Sequence, residues 1–546
     1  MVAPLGMSAR HKRVLLVLIL AFILIGAAAA YANSDEEETE VEYTPVKSQI
    51  VDHTEMFKEA NITKYEGSKT CIKCHRDEVY EFFHSYHYQE ANKVSDIAGK
   101  GTILWGGKYA YNDFCGAIFW LGNKSVNYIG KAVLKAPPKG YENLKGTFIA
   151  SGCSMCHGVS MGLIPQPNPT EEQLGNIDCL ACHADPKVYM AGAPGVKKGF
   201  KVVYQDENGT WRYMINPNIS IDTIAKSIRN KPLKENCLAC HAFSGGGPHY
   251  KRPNLSPDLI GNVSKEFDVH MGSGMQCIDC HKVEDHKFPT KAADTWNREG
   301  DNVPHCTDCH GEKPHKGLKG WFLNTFHLDK VACQVCHIPV IADGKYPTDM
   351  YRDWSQAEFI PEGAKYEPKL DLEKNVTPVY MWYNGTRQVY IYPEPVTPDE
   401  NNEIIYVKPL GSKDDPNSKI YPFKLHYAVV PYSKTNKTIV PIKVGIVFAT
   451  GNVTKAVQAG ASIAGLKWDG GWVTLVRYMQ VDHGVKPADE ALSCFNCHGP
   501  TVRRMPWPEL GYGHYPEIAF ITLTAVTVAV IIILAYKLLI ARYIRK

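Results

Sequence analysis

Cys237-Leu-Ala-Cys240-His241, Cys277-Ile-Asp-Cys280-His281, Cys306-Thr-Asp-Cys309-His310 and Cys333-Gln-Val-Cys336-His337 follow one another along a single stretch of chain. The spacing has a chemical reason. Cysteines at i and i+3 of a helical turn lie on one side, where both can form thioethers with the vinyl groups of one haem. The histidine directly after them reaches the iron as its proximal ligand.

Four further copies stand outside that stretch: Cys71, Cys74 and His75; Cys153, Cys156 and His157; Cys179, Cys182 and His183; Cys494, Cys497 and His498. Zinc knuckles, redox dithiols and disulfides also use C-x-x-C, but none requires a histidine after every second cysteine. In a chain of this composition, chance supplies on the order of 0.02 copies of C-x-x-C-H. The motifs take sixteen of the seventeen cysteines and leave Cys115 over. The expectation is eight covalently bound c-type haems, each with its iron.

Eight macrocycles would replace much of the side-chain core of this 546-residue chain, and 44 Gly with 35 Pro suit a loop-rich shell around them. The predicted fold class is a mainly α and irregular multihaem cytochrome c fold packed on eight haems, with a β-rich haem-free insertion and a C-terminal transmembrane helix. Arg10, Lys12 and Arg13 precede the apolar run Val14–Ala30, and Ala30-Tyr31-Ala32 has the form of a cleavage site, so 1–32 reads as a signal peptide. Residues 33–69 read as an acidic tether on the strength of Ser34–Glu42. Haems one to seven occupy 70–340, the β-rich insertion 341–480 and the eighth haem 481–515. Ile518–Tyr536 carries no charge and is followed by Lys537, Arg542, Arg545 and Lys546. That makes 516–546 a membrane anchor with a basic cytoplasmic tail, and the haem domain extracytoplasmic.

The formal charge of +3 is accounted for by the three basic residues before the first apolar run. Nothing in the charge pattern points to nucleic acid. Asn-x-Ser/Thr sequons, including Asn61, Asn262, Asn375, Asn384, Asn436 and Asn452, are compatible with a glycosylated surface or with ordinary loop composition. Glu78–Gln89 reads as one short helix. Motifs two and three, close in sequence, predict neighbouring haems. Val379–Tyr383, the turn Asn384-Gly385 and Thr386–Tyr392 read as a hairpin. Strands are predicted at Glu403–Val407 and near Lys419–Tyr432, and a short helix at Ala456–Leu466.

Each iron needs a sixth ligand, or an open position for chemistry. His84, His87, His270, His286, His315, His327 and His483 form the expected distal set, with His53, His249, His305, His426 and His514 as weaker candidates.

Several segments resemble the octahaem tetrathionate reductase family: Cys237–Lys251, Asp-Val-His-Met at 268–271, 331–339, Met-Gln-Val-Asp-His-Gly-Val at 479–485, Asp353-Trp354-Ser355, and 491–494. The likeness covers about residues 70–515. It implies seven bis-histidine haems and one active-site haem, the second in chain order, held by Cys153, Cys156 and His157 and capped by a lysine at the position of Lys251. It also implies a place near that haem for Cys115, which otherwise reads as a small buried hydrophobe. The sequence departs from the family pattern at Pro248-His249-Tyr250, which makes His249 a rival ligand, and the C-terminal helix lies outside the likeness. A lysine amine binds iron only when deprotonated, is displaceable, and as a cation would hold an anion.

Two functions follow. One is a membrane-anchored oxidoreductase that reduces a small sulfur or nitrogen compound such as tetrathionate, nitrite or hydroxylamine, supplied by a redox partner, a quinol oxidase or another cytochrome. The other is a non-catalytic electron conduit. They differ in whether one iron has a displaceable ligand.

Overall fold

The computed structural model describes residues 43–121, 124–125, 147–149, 156–157, 159, 164–189, 201–205, 211–215, 219–243, 251–288, 292–294, 304–360, 365–499, 504–513 and 515–544. The signal peptide, residues 33–42 of the acidic tether, Cys153, His249 and His514 lie outside them. By contacts the chain divides into two units, one of residues 1–44 and 304–333, the other of 45–303 and 334–546.

In the larger unit the haem motifs sit on single helical turns, as their spacing requires: Ser68–Cys71, Leu180–His183, Lys234–His241, Cys277–Cys280 and Cys494–His498. Cys333–His337 is a further such turn, at the boundary of the two units. Most of these turns are only one or two turns long, too short to be stable alone, so they depend on what they pack against. The predicted helix Glu78–Gln89 is two helices, Arg76–Phe83 and Tyr86–Gln89. Ser85 breaks it by accepting a hydrogen bond from the Tyr88 amide as an N-cap.

The largest regular body is a sheet in the predicted β-rich insertion, larger than any helical element among the described residues of the haem region. Its strands are β1 Thr348–Ile360, β2 Lys365–Glu373, β3 Val379–Tyr383, β4 Arg387–Val389, β5 Glu403–Pro409, β6 Lys419–Ser433, β7 Thr438–Ile439 and β8 Gly471–Gln480. The order is β4-β5-β8-β6-β1-β2, with β3 and β7 also on β6. The predicted hairpin is therefore not formed: β3 pairs with β6 and β4 with β5. Asn384-Gly385 turns the chain from one partner to the other, because the long central strand β6 offers β3 more aromatic cross-strand contact than the three-residue β4 could. The predicted strands at 403–407 and 419–432 are present, as is a helix at Val453–Ala464.

One face of the sheet packs on Val444–Thr450 and Val453–Ala464 around Trp354, Val430, Val447 and Leu475. Alternation along β6 puts Lys424 and His426 on the same side as buried Ala428 and Val430. The antiparallel register sets His426 opposite Arg477 of β8. Polar residues in core positions of a half-buried strand mark where the sheet stops being scaffold.

Tyr515–Ile544 is one uninterrupted helix of 30 residues and contains the expected anchor. Its Ile518, Ile521, Val526, Ile532 and Ile533 are all exposed. Among the described residues no helix is long and apolar enough to cross a membrane, and Ala519, Phe520 and Leu523 of this one lie outside them in their side chains.

In the smaller unit, the sixth motif forms the turn Cys306–His310, followed by the helix Gly317–Phe326. Asn324 bridges to His315, its Oδ1 3.1 Å from His315 Nδ1 and its amide donating to the His315 carbonyl.

Candidate haem sites and a buried charge cluster

Three pairs of histidines in the larger unit have the spacing a shared metal demands. An imidazole binds a metal at about 2 Å with its ring centre roughly 1.2 Å beyond, so two rings trans on one iron have centres roughly 6.4 Å apart. His281 and His483 lie 6.3 Å apart with rings 17° from parallel. His183 and His286 lie 6.2 Å apart, and His241 and His87 lie 6.1 Å apart. Each pair joins a motif histidine to one of the expected distal set.

The other ring nitrogen is engaged as a metal ligand's should be. His183 Nδ1 lies 3.0 Å from the Arg229 carbonyl, His84 Nδ1 2.9 Å from that of Tyr80, and His286 Nδ1 3.1 Å from Glu81 Oε2. Burial pushes the His281 imidazole down to about 3, helped by His483 and Arg252, and burial lowers His87, His183 and His241 as well. Neutral imidazole is the form that binds iron. These residues fit haem.

The motif sulfurs also meet in pairs. Cys71 of motif one contacts Cys179 of motif three, Cys237 of motif four contacts Cys277 of motif five, and Cys156 of motif two approaches the Cys240 carbonyl at 3.6 Å. These thiols stand in for thioether sulfurs, so the contacts place attachment points side by side. They run one to three, four to five and two to four, and the Asp178 amide on the Val159 carbonyl at 2.9 Å sets the start of motif three beside the end of motif two, as their spacing predicts. Motifs seven and eight adjoin as well, through the Leu492 amide on the Cys336 carbonyl at 3.0 Å.

Around the second motif the surroundings change in kind. The loop 111–119 carries a 3-10 turn, Asp113–Cys115, capped by Asn112 Oδ1 on the Cys115 amide at 3.1 Å. Gly116 follows in the left-handed region at φ 57°, and a Cβ there would meet the Trp354 ring at 2.9 Å. The turn is thereby pressed on the sheet, with Trp354 Nε1 donating to the Asp113 carbonyl at 3.2 Å and Arg352 to that of Phe114. Further along the loop, Phe119 lies on the ring of His157 at 4.4 Å.

Fully buried Phe114 is the centre of a charge cluster. His426 stacks on it at 3.9 Å and 17°. Lys251 Nζ stands 5.2 Å from the ring centre, Lys424 Nζ 5.7 Å, and the Arg352 and Arg477 guanidinium carbons 5.6 Å each. Arg477 pairs with Asp113 at 2.5 Å and with Asp294; Arg352 pairs with Asp349. The His426 nitrogens lie 3.3 Å from Asp113 and 3.4 Å from Asp349. Burial raises both carboxyls, but Arg477 beside Asp113 and Arg352 beside Asp349, with His426 between, hold them well below the usual range.

Burial pulls the Lys251 amine down to about 8, opposed by Cys115 and aided by Arg252 and Arg477. Lys424 falls to about 7, again through burial, and donates to the Lys251 carbonyl at 2.7 Å and to Thr348 Oγ1 at 2.8 Å. Cations outnumber carboxylates here, which suits an anion, and two amines are poised between charged and neutral forms. Cys115 belongs to the sheet's apolar core cluster and also acts electrostatically on Lys251. Sequence reasoning missed Asp113, Asp349, Arg352, Lys424 and Arg477, and ranked His426 low. The available signal was Lys424 and His426 in the buried phase of β6.

Comparison with known proteins agrees with this picture. Residues 350–501, the sheet and eighth motif, match a family model described as bacterial cytochrome c. An uncharacterized protein of Archaeoglobus fulgidus is 56% identical over 258 residues, 47% of this chain and 86% of the relative. The crystal structure of octaheme cytochrome c from Shewanella oneidensis superposes with a TM-score of 0.60 and 25% identity, over 82% of this chain and 94% of that one. With its repeated attachment motifs and paired histidines, the chain belongs to the multihaem c-type cytochromes, as a redox protein carrying covalently bound haem iron.

Proposed function

We propose that the chain binds eight haems and reduces a small oxidised sulfur or nitrogen compound, such as tetrathionate, nitrite or hydroxylamine, at the haem held by Cys153, Cys156 and His157. The observation that carries this reading is the buried cluster around Phe114, which sets an amine of lowered basicity amid an excess of cationic groups. A haem iron at this position supplies an exchangeable axial site and electrons arriving one at a time. The chain's own residues do the rest. Lys251 as a neutral amine would be able to hold the iron when haem is bound, and as a cation, once protonated, it would hold the anionic substrate. Arg477 and Arg352 keep Asp113 and Asp349 ionised, and His426 between them can hold a proton for the reduced product. The buried Phe114 excludes water from one side.

Replacing Lys251 by Ala tests this. Haem two should gain high-spin character while the other haems keep their spectra, and turnover should fall at least tenfold, about 1.4 kcal/mol of barrier. An unchanged spectrum with unchanged rates would remove Lys251 from the iron. If the parent also reduces none of the three compounds, the electron-conduit reading takes its place, since side-by-side motif pairs serve either.

We also propose that Tyr515–Ile544 anchors the protein, with the haem domain outside the cell membrane and electrons supplied by a membrane quinol system or another cytochrome. The exposed apolar side chains along this helix support that reading, since a soluble surface rarely carries so many together. Truncation after Gly513 should release the haem domain into the soluble fraction; retention on membranes would refute it.

A further inference from the structure

Glu90 is an unusual residue in an unusual place. It ends the helix Tyr86–Gln89 in the left-handed region at φ 52°, where glycine or asparagine is the ordinary choice. A glutamate there carries a backbone cost of order 1 kcal/mol. The neighbourhood is built around it: Gly106, at φ 147°, approaches so closely that a Cβ would meet the Glu90 carbonyl at 2.6 Å, and a Cβ on Gly107 would meet Glu90 Oε2 at 3.4 Å. The side chain is buried, and Oε2 has no hydrogen-bond partner. An unpaired buried carboxylate oxygen is expensive. It is aimed at His157, whose Nδ1 lies 3.5 Å away.

Two other motif histidines are placed differently. His183 Nδ1 faces a neutral backbone carbonyl. His75 Nδ1 lies 3.6 Å from Glu78, but both side chains are about half exposed, where water screens the charge. The charged neighbour of Glu90 is Lys108, whose amine donates to the Pro165 carbonyl at 2.7 Å.

We propose that the Glu90 carboxylate accepts the Nδ1 proton of His157 in a charged hydrogen bond and so makes the proximal ligand of haem two more electron-donating than a neutral acceptor such as the carbonyl behind His183 would. This rests on His157 ligating a haem, and deepens the functional reading by giving that iron a distinct proximal side. An imidazole polarised toward imidazolate stabilises the oxidised iron, lowers its reduction potential and weakens the ligand opposite. A displaceable Lys251 is then a consequence of both sides of the haem. Glu90 is a positioning and tuning residue; it touches the ligand and not the substrate.

The test is Glu90→Gln in the full haem-loaded chain, read by haem-resolved redox titration and by the iron–histidine stretching band of the reduced protein. The one-electron equilibrium of the His157 haem should move about tenfold toward reduction, about 59 mV, and the stretching frequency should fall, with the other haems unmoved. Glu90→Asp, which keeps the charge on a shorter arm, should return most of the shift and remains informative should the Gln variant fold poorly. No shift at the His157 haem in either readout, or an equal shift at all haems, would overturn the proposal. The measurement follows the proximal side alone, so it stands or falls apart from the Lys251→Ala result.

Discussion

The haem site of His281 and that of His157 begin from the same five-residue motif and are surrounded differently. His281 faces His483 with nearly parallel rings, and burial, helped by His483 and Arg252, keeps the imidazole neutral. His157 has a buried carboxylate behind it, and the loop that packs on its ring also presents Phe114 to Lys251, Lys424, Arg352 and Arg477. The motif fixes attachment and the proximal ligand; the non-motif chain decides what the iron can do. In the first case the loop that follows β8 delivers a second histidine. In the second a sheet distant in sequence delivers charge.

That difference breaks most sharply at Arg477. Its guanidinium neutralises Asp113 and Asp294 together inside the protein. Arg477→Met fills similar space but leaves two buried carboxylates without their cation, and removal of one partner from a buried ion pair costs about 3–5 kcal/mol. A denaturant titration should show a loss of that size. Spectra of the folded fraction should keep the His281–His483 haem unchanged. A loss under about 1 kcal/mol would mean that water or a bound anion already compensates the cluster, and the contrast between the two sites would weaken.

How much of this was legible beforehand depends on the range of the interaction. Haem attachment needs only i, i+3 and i+4 along one turn, so the motif histidines could be read directly. His87, His286 and His483 were legible because the need for a sixth ligand limits the choice to histidines off the motifs. The hairpin at 379–392 was misread because its turn signal is local, whereas β3 found a longer partner in β6. The same holds for Glu78–Gln89, where the Ser85 cap outweighed a continuous apolar spacing. The charge cluster was hidden for a different reason. Asp113, Asp349, His426 and Arg477 come from four separate segments, and nothing short of the β1, β6 and β8 register brings them together.

The smallest expected effect isolates Lys424 from everything around it. Its amine titrates at about 7 in the folded protein against an ordinary 10.5 unfolded. Below pH 7 both states carry the proton and the buried cation destabilises the fold in full. Between 7 and 10.5 the unfolded chain binds more protons, so stability rises with pH, by at most about 1.4 kcal/mol per unit for one group. The buried histidines, with lowered folded values, add their own rise only below their ordinary 6.5. Asp113 and Asp349 contribute stability that is lost only as pH falls through the carboxylate range. Lys251 begins only near 8. The interval from pH 7 to 8 therefore belongs to Lys424. The parent should gain on the order of 1 kcal/mol across it in denaturant titrations, and Lys424→Met should be flat. An equal slope in both proteins would place the titrating group elsewhere.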